Sequence, residues 1–121
     1  MANRLIGGII SFKVNGQKYD ARGDFKYSLG NPVREAVVGE DGVHGYFEKP
    51  AAPYISGTIS DNQNLDVGTL QKVSNATVTL ALRNGKTISL SEAWFSGESE
   101  IEAGEGKIPF KFNGIECSEV L

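Results

Sequence analysis

Short runs of alternating apolar and polar residues, cut by glycine, organise this chain. Fifteen glycines and three Asn-Gly pairs (Asn15-Gly16, Asn84-Gly85, Asn113-Gly114) punctuate these runs, which is the pattern of antiparallel sheet. Parity sets the register of the turns, because a slip of one residue moves every side chain to the other face. In IISFKVNGQKYDA, a two-residue loop at Asn15-Gly16 places Val14 opposite Gln17, Phe12 opposite Tyr19 and Ile10 opposite Ala21. Apolar meets apolar, and a type I′ turn follows. In TVTLALRNGKTISL, a two-residue loop would set Leu80 against Ser89. The three-residue loop Arg83-Asn84-Gly85 pairs Leu80 with Ile88 and Val78 with Leu90, and predicts a type I turn plus bulge with left-handed Gly85.

A third hairpin is predicted in GESEIEAGEGKIPFKF. With residues 103–106 as its loop, Glu102 faces Lys107 and Glu98 faces Lys111. On the other side Ile101 meets Ile108, and Phe110 and Phe112 extend the stripe. One helix is predicted over 67–74, with Asp66 as its cap, Leu65 and Leu70 as a hydrophobic staple, and Leu70 and Val73 facing the sheet. Gly68 keeps it short. The fold class is mainly β: two packed antiparallel sheets, sandwich or barrel-like, with one short helix after the strand PYISGTIS.

Residues 31–50, NPVREAVVGEDGVHGYFEKP, do not fit this scheme. Val33, Glu35 and Val37 share one face of an extended segment, and Arg34, Ala36 and Val38 share the other. Both faces carry valine, so both need cover, and Gly39, Gly42 and Gly45 then break the run. A domain this small has no spare layer for it.

Length and composition narrow the class. The 121 residues predict one domain, 1–121, with 40% hydrophobic and 22% charged content, as in ordinary globular chains. No apolar run approaches the roughly 20 residues of a membrane span, so a soluble protein without membrane association is expected. MANRLIGGIISF is too short and too glycine-broken for a signal peptide. The single Cys117 excludes an internal disulfide and reads as a small apolar filler or a free thiol. Twelve Lys and Arg against fifteen Asp and Glu leave −3, which argues against a phosphate clamp.

Candidate chemistry is sparse. His44 is the only histidine, and no triad or zinc spacing surrounds it; no catalytic residue, metal or cofactor is expected, and the chain does not read as an enzyme. Glu98, Glu100 and Glu102 alternate along one predicted strand. Carboxylates spaced so point the same way instead of flanking a substrate, and lysines face two of them. A row lining an acidic surface or lumen is the other reading. RNGK and GEGK lack the glycine spacing and Ser/Thr of a phosphate loop. Arg22-Gly23-Asp24 and Asn75-Ala76-Thr77 match extracellular motifs and read as turns. Trp94 and Phe95 point to opposite faces, so one is core and the other meets a neighbour.

GNPVREAVVGEDGVHGYFEKPAAPYISGTISD, followed by LDVGTLQKVSNATVTLALRNGKTISLSEAWFSGESEIEAGEGKIPFKF, resembles the tail tube proteins of Mu-like contractile-tailed phages and prophages. Arm, strand, helix, Asn-Gly hairpin, Ala-Trp-Phe strand and closing acidic hairpin follow in the same order over almost the whole chain. The resemblance implies a ring-forming tail tube fold, shared with type VI secretion tubes. Two packed sheets and a helix make each subunit, six subunits close a ring, and stacked rings form a channel for the genome. It further implies a sheath protein around the tube, initiator or baseplate and terminator partners, and a place in the virion tail after assembly in the bacterial cytoplasm.

Under this reading residues 30–50 are an inter-subunit arm that lies on the adjacent copy. Val33, Val37 and Val38 are covered there, Arg34, Glu35, Glu40, Asp41 and Glu48 set register, and Asp41, His44 and Tyr46 belong to the same surface. Six subunits at −3 give a ring of about −18, and DNA passes through a lumen poor in Lys and Arg without specific binding. A tailocin or other contractile injection particle would use the same subunit. A monomeric β-sandwich binding module is the alternative of a different class, separated by gel filtration or negative-stain microscopy.

Overall fold

The structure, a computed structural model, describes residues 8–97 and 100–120. In chain order the described elements are β1 (Ile9–Val14), β2 (Gln17–Tyr19), β3 (Ala21–Ser28), β4 (Val33–Gly39), β5 (Gly42–Lys49), β6 (Tyr54–Ser60), α1 (Val67–Gln71), β7 (Ala76–Leu82), β8 (Thr87–Phe95), β9 (Lys107–Asn113) and β10 (Glu116–Val120). Strands β2, β1, β7, β8 and β10 form one antiparallel sheet, and β3, β6 and β9 form the other. Strand β8 belongs to both. Its register against β7 shifts between Ala76 and Val78, and nearby Glu92 has φ +50°. A bulge of this kind bends a strand and lets it change sheets at a corner. Trp94 and Phe95 then pair with Asn113 and Phe112 of β9. The path from β2 to β3 is open: the two strands are consecutive, but no ladder joins them.

The turns at Asn15-Gly16 and Asn84-Gly85 take the registers that parity predicts. Asn15 and Gly16 have φ +52° and +82°, as a type I′ turn requires, with Val14↔Gln17 and Phe12↔Tyr19 in register. The predicted Ile10–Ala21 pair does not form. The chain leaves the hairpin at Asp20, and Ala21 pairs with Ile59 in the other sheet. At the second turn Leu82 N–H donates to Lys86 C=O at 2.9 Å, enclosing Arg83-Asn84-Gly85 with Gly85 at φ +95°. Leu80↔Ile88 and Val78↔Leu90 follow.

Among the described residues the closing hairpin is reduced to a single bridge, Glu102↔Lys107. Its expected register conflicts with the one that Trp94↔Asn113 imposes at the other end of β9. The two differ by two residues, so the ladder cannot run through. Ser96 N–H reaches Lys111 C=O, where Glu98 was expected; Glu98 lies outside the described residues. Ile101 stays 41% exposed, and Ile108 pairs with Ile59 instead.

Inward side chains of the two sheets meet in one core. Phe12 of β1 stacks on Phe110 of β9 with centroids 4.7 Å apart, and Phe25 of β3 meets Phe12 edge-on at 5.4 Å. Gly57 makes room for that ring, because a Cβ there would collide with Phe25. Ile55, Ile59, Val78, Ile88, Leu90, Ile108 and Phe112 are fully buried around them. Helix α1 closes one side. The Asp66 carboxylate accepts from Thr69 N–H at 3.2 Å and from its hydroxyl at 2.8 Å, and Leu70 is 2% exposed. The helix ends at Gln71, short of the predicted residue 74: Lys72 N–H and Val73 N–H donate to the carbonyls three residues back, Thr69 and Leu70, and Asn75 takes a left-handed φ of +54°.

A two-stranded arm as the candidate functional site

Strands β4 and β5 pair with each other and form a separate sheet. The segment expected as an extended arm is thus a hairpin, turning at Glu40-Asp41 between the paired Gly39 and Gly42. Each strand is 7 or 8 residues long, so the hairpin reaches roughly 23 Å at ~3.3 Å per residue. Its root is fixed to the body. Gly30, at φ +80°, lies so close to buried Pro53 that a Cβ would sit 2.9 Å from the Pro53 ring. Pro53 C=O accepts from Gly114 N–H at 3.2 Å and from the Asn113 side chain at 3.4 Å.

The register sorts side chains into two faces. Val33↔Lys49, Glu35↔Phe47 and Val37↔Gly45 occupy one; Arg34↔Glu48, Ala36↔Tyr46 and Val38↔Val43 occupy the other. His44 is the extra residue of a bulge between the Val37 and Val38 pairs. Its imidazole lies against Gly39, where a Cβ would collide with the ring, and its Nε2 is 2.6 Å from Asp41 Oδ1. That contact holds the Asp41 carboxyl below its ordinary range.

Of the charges expected to set register between subunits, Arg34, Glu35 and Glu48 form ion pairs across the hairpin. Arg34 Nε is 3.0 Å from Glu48 Oε1, and Lys49 Nζ is 3.0 Å from Glu35 Oε1. Each cation also sits over an aromatic ring of its own face, Arg34 over Tyr46 at 5.0 Å and Lys49 over Phe47 at 5.6 Å. The ion pairs fix the hairpin's own register.

Apolar residues on both faces stay in solvent. Exposure is 51% at Val33, 41% at Val37, 67% at Val38, 73% at Val43, 60% at Tyr46 and 44% at Phe47. Every strand residue of the hairpin except Gly39 is exposed. Contiguous apolar surface of this kind marks an interaction site. All ten residues assigned to the arm in the sequence (Val33, Arg34, Glu35, Val37, Val38, Glu40, Asp41, His44, Tyr46 and Glu48) lie on this hairpin. Val43, Phe47 and Lys49 were missed, because the bulge at His44 shifts the parity of β5 and Gly45 interrupts it.

The other candidates are dispersed. Glu100 and Ile101 lie outside any strand, so no acidic row on a strand face is described there. Lys107 Nζ pairs with Glu105 at 2.6 Å, although its backbone bridges Glu102. Trp94 is 38% exposed while Phe95 packs edge-on against Phe112 at 5.4 Å, so the pair splits between faces as expected. Among the described residues no three His, Cys, Asp or Glu side chains converge as metal ligands would. Burial pushes the Cys117 thiol pKa up, away from reactivity.

The profile of the phage tail tube protein family matches residues 3–119. The Mu-like prophage FluMu tail tube protein of Haemophilus influenzae (strain ATCC 51907 / DSM 11121 / KW20 / Rd) is 32% identical over 120 residues, which cover 99% of each chain.

Proposed function

This chain belongs to the phage tail tube protein family, and from that premise we propose that its β4–β5 hairpin is the joint by which subunits close into six-membered rings and stack into a tube. The protein is a structural component of a phage tail. One observation carries the joint: an anchored hairpin that presents six large apolar side chains to solvent, with none of the described residues of its own subunit layered over them. A neighbouring copy supplies that layer, and a head-to-tail contact that closes gives a ring instead of an open fibre. The six-fold count, the channel for the genome, the surrounding sheath and the baseplate and terminator partners follow the family resemblance. Net charge −3 per subunit suits a wall along which DNA slides without sticking. The work assigned to the chain is assembly and passage, not chemistry.

The test is replacement of residues 33–49 by a short Gly-Ser linker. The hairpin is outside the core, so the variant is expected to unfold at the wild-type temperature yet yield no tubes in negative-stain images. Tubes of normal diameter from the linker variant would refute the joint.

A further inference from the structure

We propose that β10 is a strap that opens and closes as a unit on an otherwise folded subunit, with the Glu119 side chain as its catch. The inference involves no residue of the β4–β5 hairpin, so it stands or falls apart from the reading of that hairpin as the joint.

Strand β10 buries little that would hold it down. Among the described residues its only ladder is with β8, from Glu116↔Ser91 to Val120↔Thr87. Cys117 and Glu119 lie opposite Leu90 and Ile88, both fully buried, while Glu116, Ser118 and Val120 are exposed. Ile88 pairs with Leu80 of β7 on one side and with Glu119 on the other. A carboxylate thus stands where the core offers apolar neighbours, and the one fully core-facing side chain of the strand is a small thiol. Elements with so few buried apolar contacts open far more readily than the core.

The two ends of the strap differ. At its start Gly114 N–H donates to Pro53 C=O at 3.2 Å and Ile115 N–H to Ser91 C=O at 3.1 Å. Gly114 lies so close to Leu90 that a Cβ would collide with it. This end is a fixed hinge. Near the other end a single oxygen, Glu119 Oε2, accepts from the Tyr27 hydroxyl of β3 at 3.0 Å and lies 3.4 Å from Lys86 Nζ. The Glu119 side chain is only 28% exposed, and charge-assisted contacts sheltered from water are the stronger ones. They span the rim where β10 meets β3 of the other sheet, and no ladder joins those two strands. An apolar residue at 119 would seal the rim by burial; a carboxylate makes closure depend on two polar partners. Opening bares the β8 edge from Thr87 to Ser91 together with the Cys117 thiol. An unpaired edge takes up other extended strands, so the closed strap keeps a strand-accepting edge shut in the free subunit.

Thiol labelling of the unassembled whole chain reads the opening, since Cys117 is its single cysteine. Burial, then the Glu119 charge, holds the Cys117 pKa up in the closed form, so dithionitrobenzoate reacts with the opened strap. The thiolate attacks the reagent disulfide, forms a mixed disulfide and releases one thionitrobenzoate. In low urea the labelling rate is expected to stay nearly flat as urea rises, because opening the strap exposes little surface. Amide exchange at core positions Phe12 and Leu80 is expected to rise steeply over the same range. Glu119→Gln should speed labelling at least about tenfold, and Tyr27→Phe, which keeps the ring in place, about fivefold. Labelling that climbs with urea as steeply as the core amides would show that β10 opens only with the whole molecule, and overturns the strap. Wild-type labelling rates in both variants overturn Glu119 as its catch.

Discussion

Replacing Val38 and Val43 by alanine tests how much assembly energy one cross-strand pair supplies. The two residues face each other across the hairpin and are 67% and 73% exposed in the free subunit. Each substitution removes two carbons beyond Cβ, worth ~0.8 kcal/mol apiece when fully transferred from water. Only the exposed fraction remains to be buried on assembly, so each valine contributes about 1 kcal/mol, and the pair about 2 kcal/mol per subunit added. At ~1.4 kcal/mol per factor of ten, the concentration at which tubes appear should rise roughly 30-fold. The free subunit should be little affected, because exposed substitutions away from caps and cores stay within about 0.5 kcal/mol. Sedimentation of tubes across a protein dilution series, beside thermal melts of the unassembled protein, measures both quantities. A critical concentration that did not move would show that this face is not buried in the tube. A lowered melting temperature would show that the hairpin is coupled to the core, contrary to its exposure.

Two further outcomes concern the subunit itself. Gly57→Ala drives a methyl group into the Phe25 ring, which already lies where a Cβ would go; overpacking of this kind costs about 1–3 kcal/mol, and calorimetry should show a melting temperature several degrees lower, with partial recovery when Phe25→Leu is added. An unchanged melt would mean that Phe25 is free to move aside. Tyr27 donates to Glu119 Oε2 at 3.0 Å, joining β3 to β10 across the two sheets, and burial first, then Glu119, raises its pKa above 10.0. A raised folded-state value means that the contribution is fully present below the unfolded pKa and is lost as pH climbs through the folded one. Tyr27→Phe should therefore cost about 1 kcal/mol at neutral pH and give a shallower fall in urea midpoint as pH climbs above about 10. The same alkaline slope in both proteins would remove Tyr27 from that account.

What the sequence discloses divides by the range of the interaction that decides it. The turns at Asn15-Gly16 and Arg83-Asn84-Gly85 are legible because loop length and parity are local, and the residues flanking each turn offer one register that matches apolar to apolar. The cap on α1 is legible for the same reason: Asp66 and Thr69 are three residues apart. The errors are non-local. Nothing near Ala21 shows that it will pair with Ile59. Nor does the hairpin 98–111 reveal that Trp94↔Asn113 will impose a register two residues out of step. Strand β10 was not predicted, since Glu116, Ser118 and Val120 give no clear alternation before β8 provides a partner. The arm was found through a local anomaly, valine on both faces, but its folding back into a hairpin was not. That depended on a bulge at His44 which breaks the period-two pattern of β5.

The hairpin also has to avoid joining the wrong partner, and its edges show how. An exposed two-stranded ribbon offers unpaired backbone groups along both sides, an invitation to uncontrolled strand addition. Here Pro32 and Pro50 border β4 and β5, and neither can donate to a ladder. The bulge at His44 adds twist, and two ion pairs and an acidic turn, Glu40-Asp41, place charge along the element. Edge growth is discouraged while the faces stay apolar, so contact is directed to side chains. Side-chain contacts need a shaped surface and therefore select a particular partner, whereas a backbone edge accepts almost any strand. Because the root is pinned by Gly30 against Pro53 and the register by ion pairs, the hairpin is already formed before assembly. The ordering cost that a disordered arm would incur on binding is then largely met during folding of the subunit.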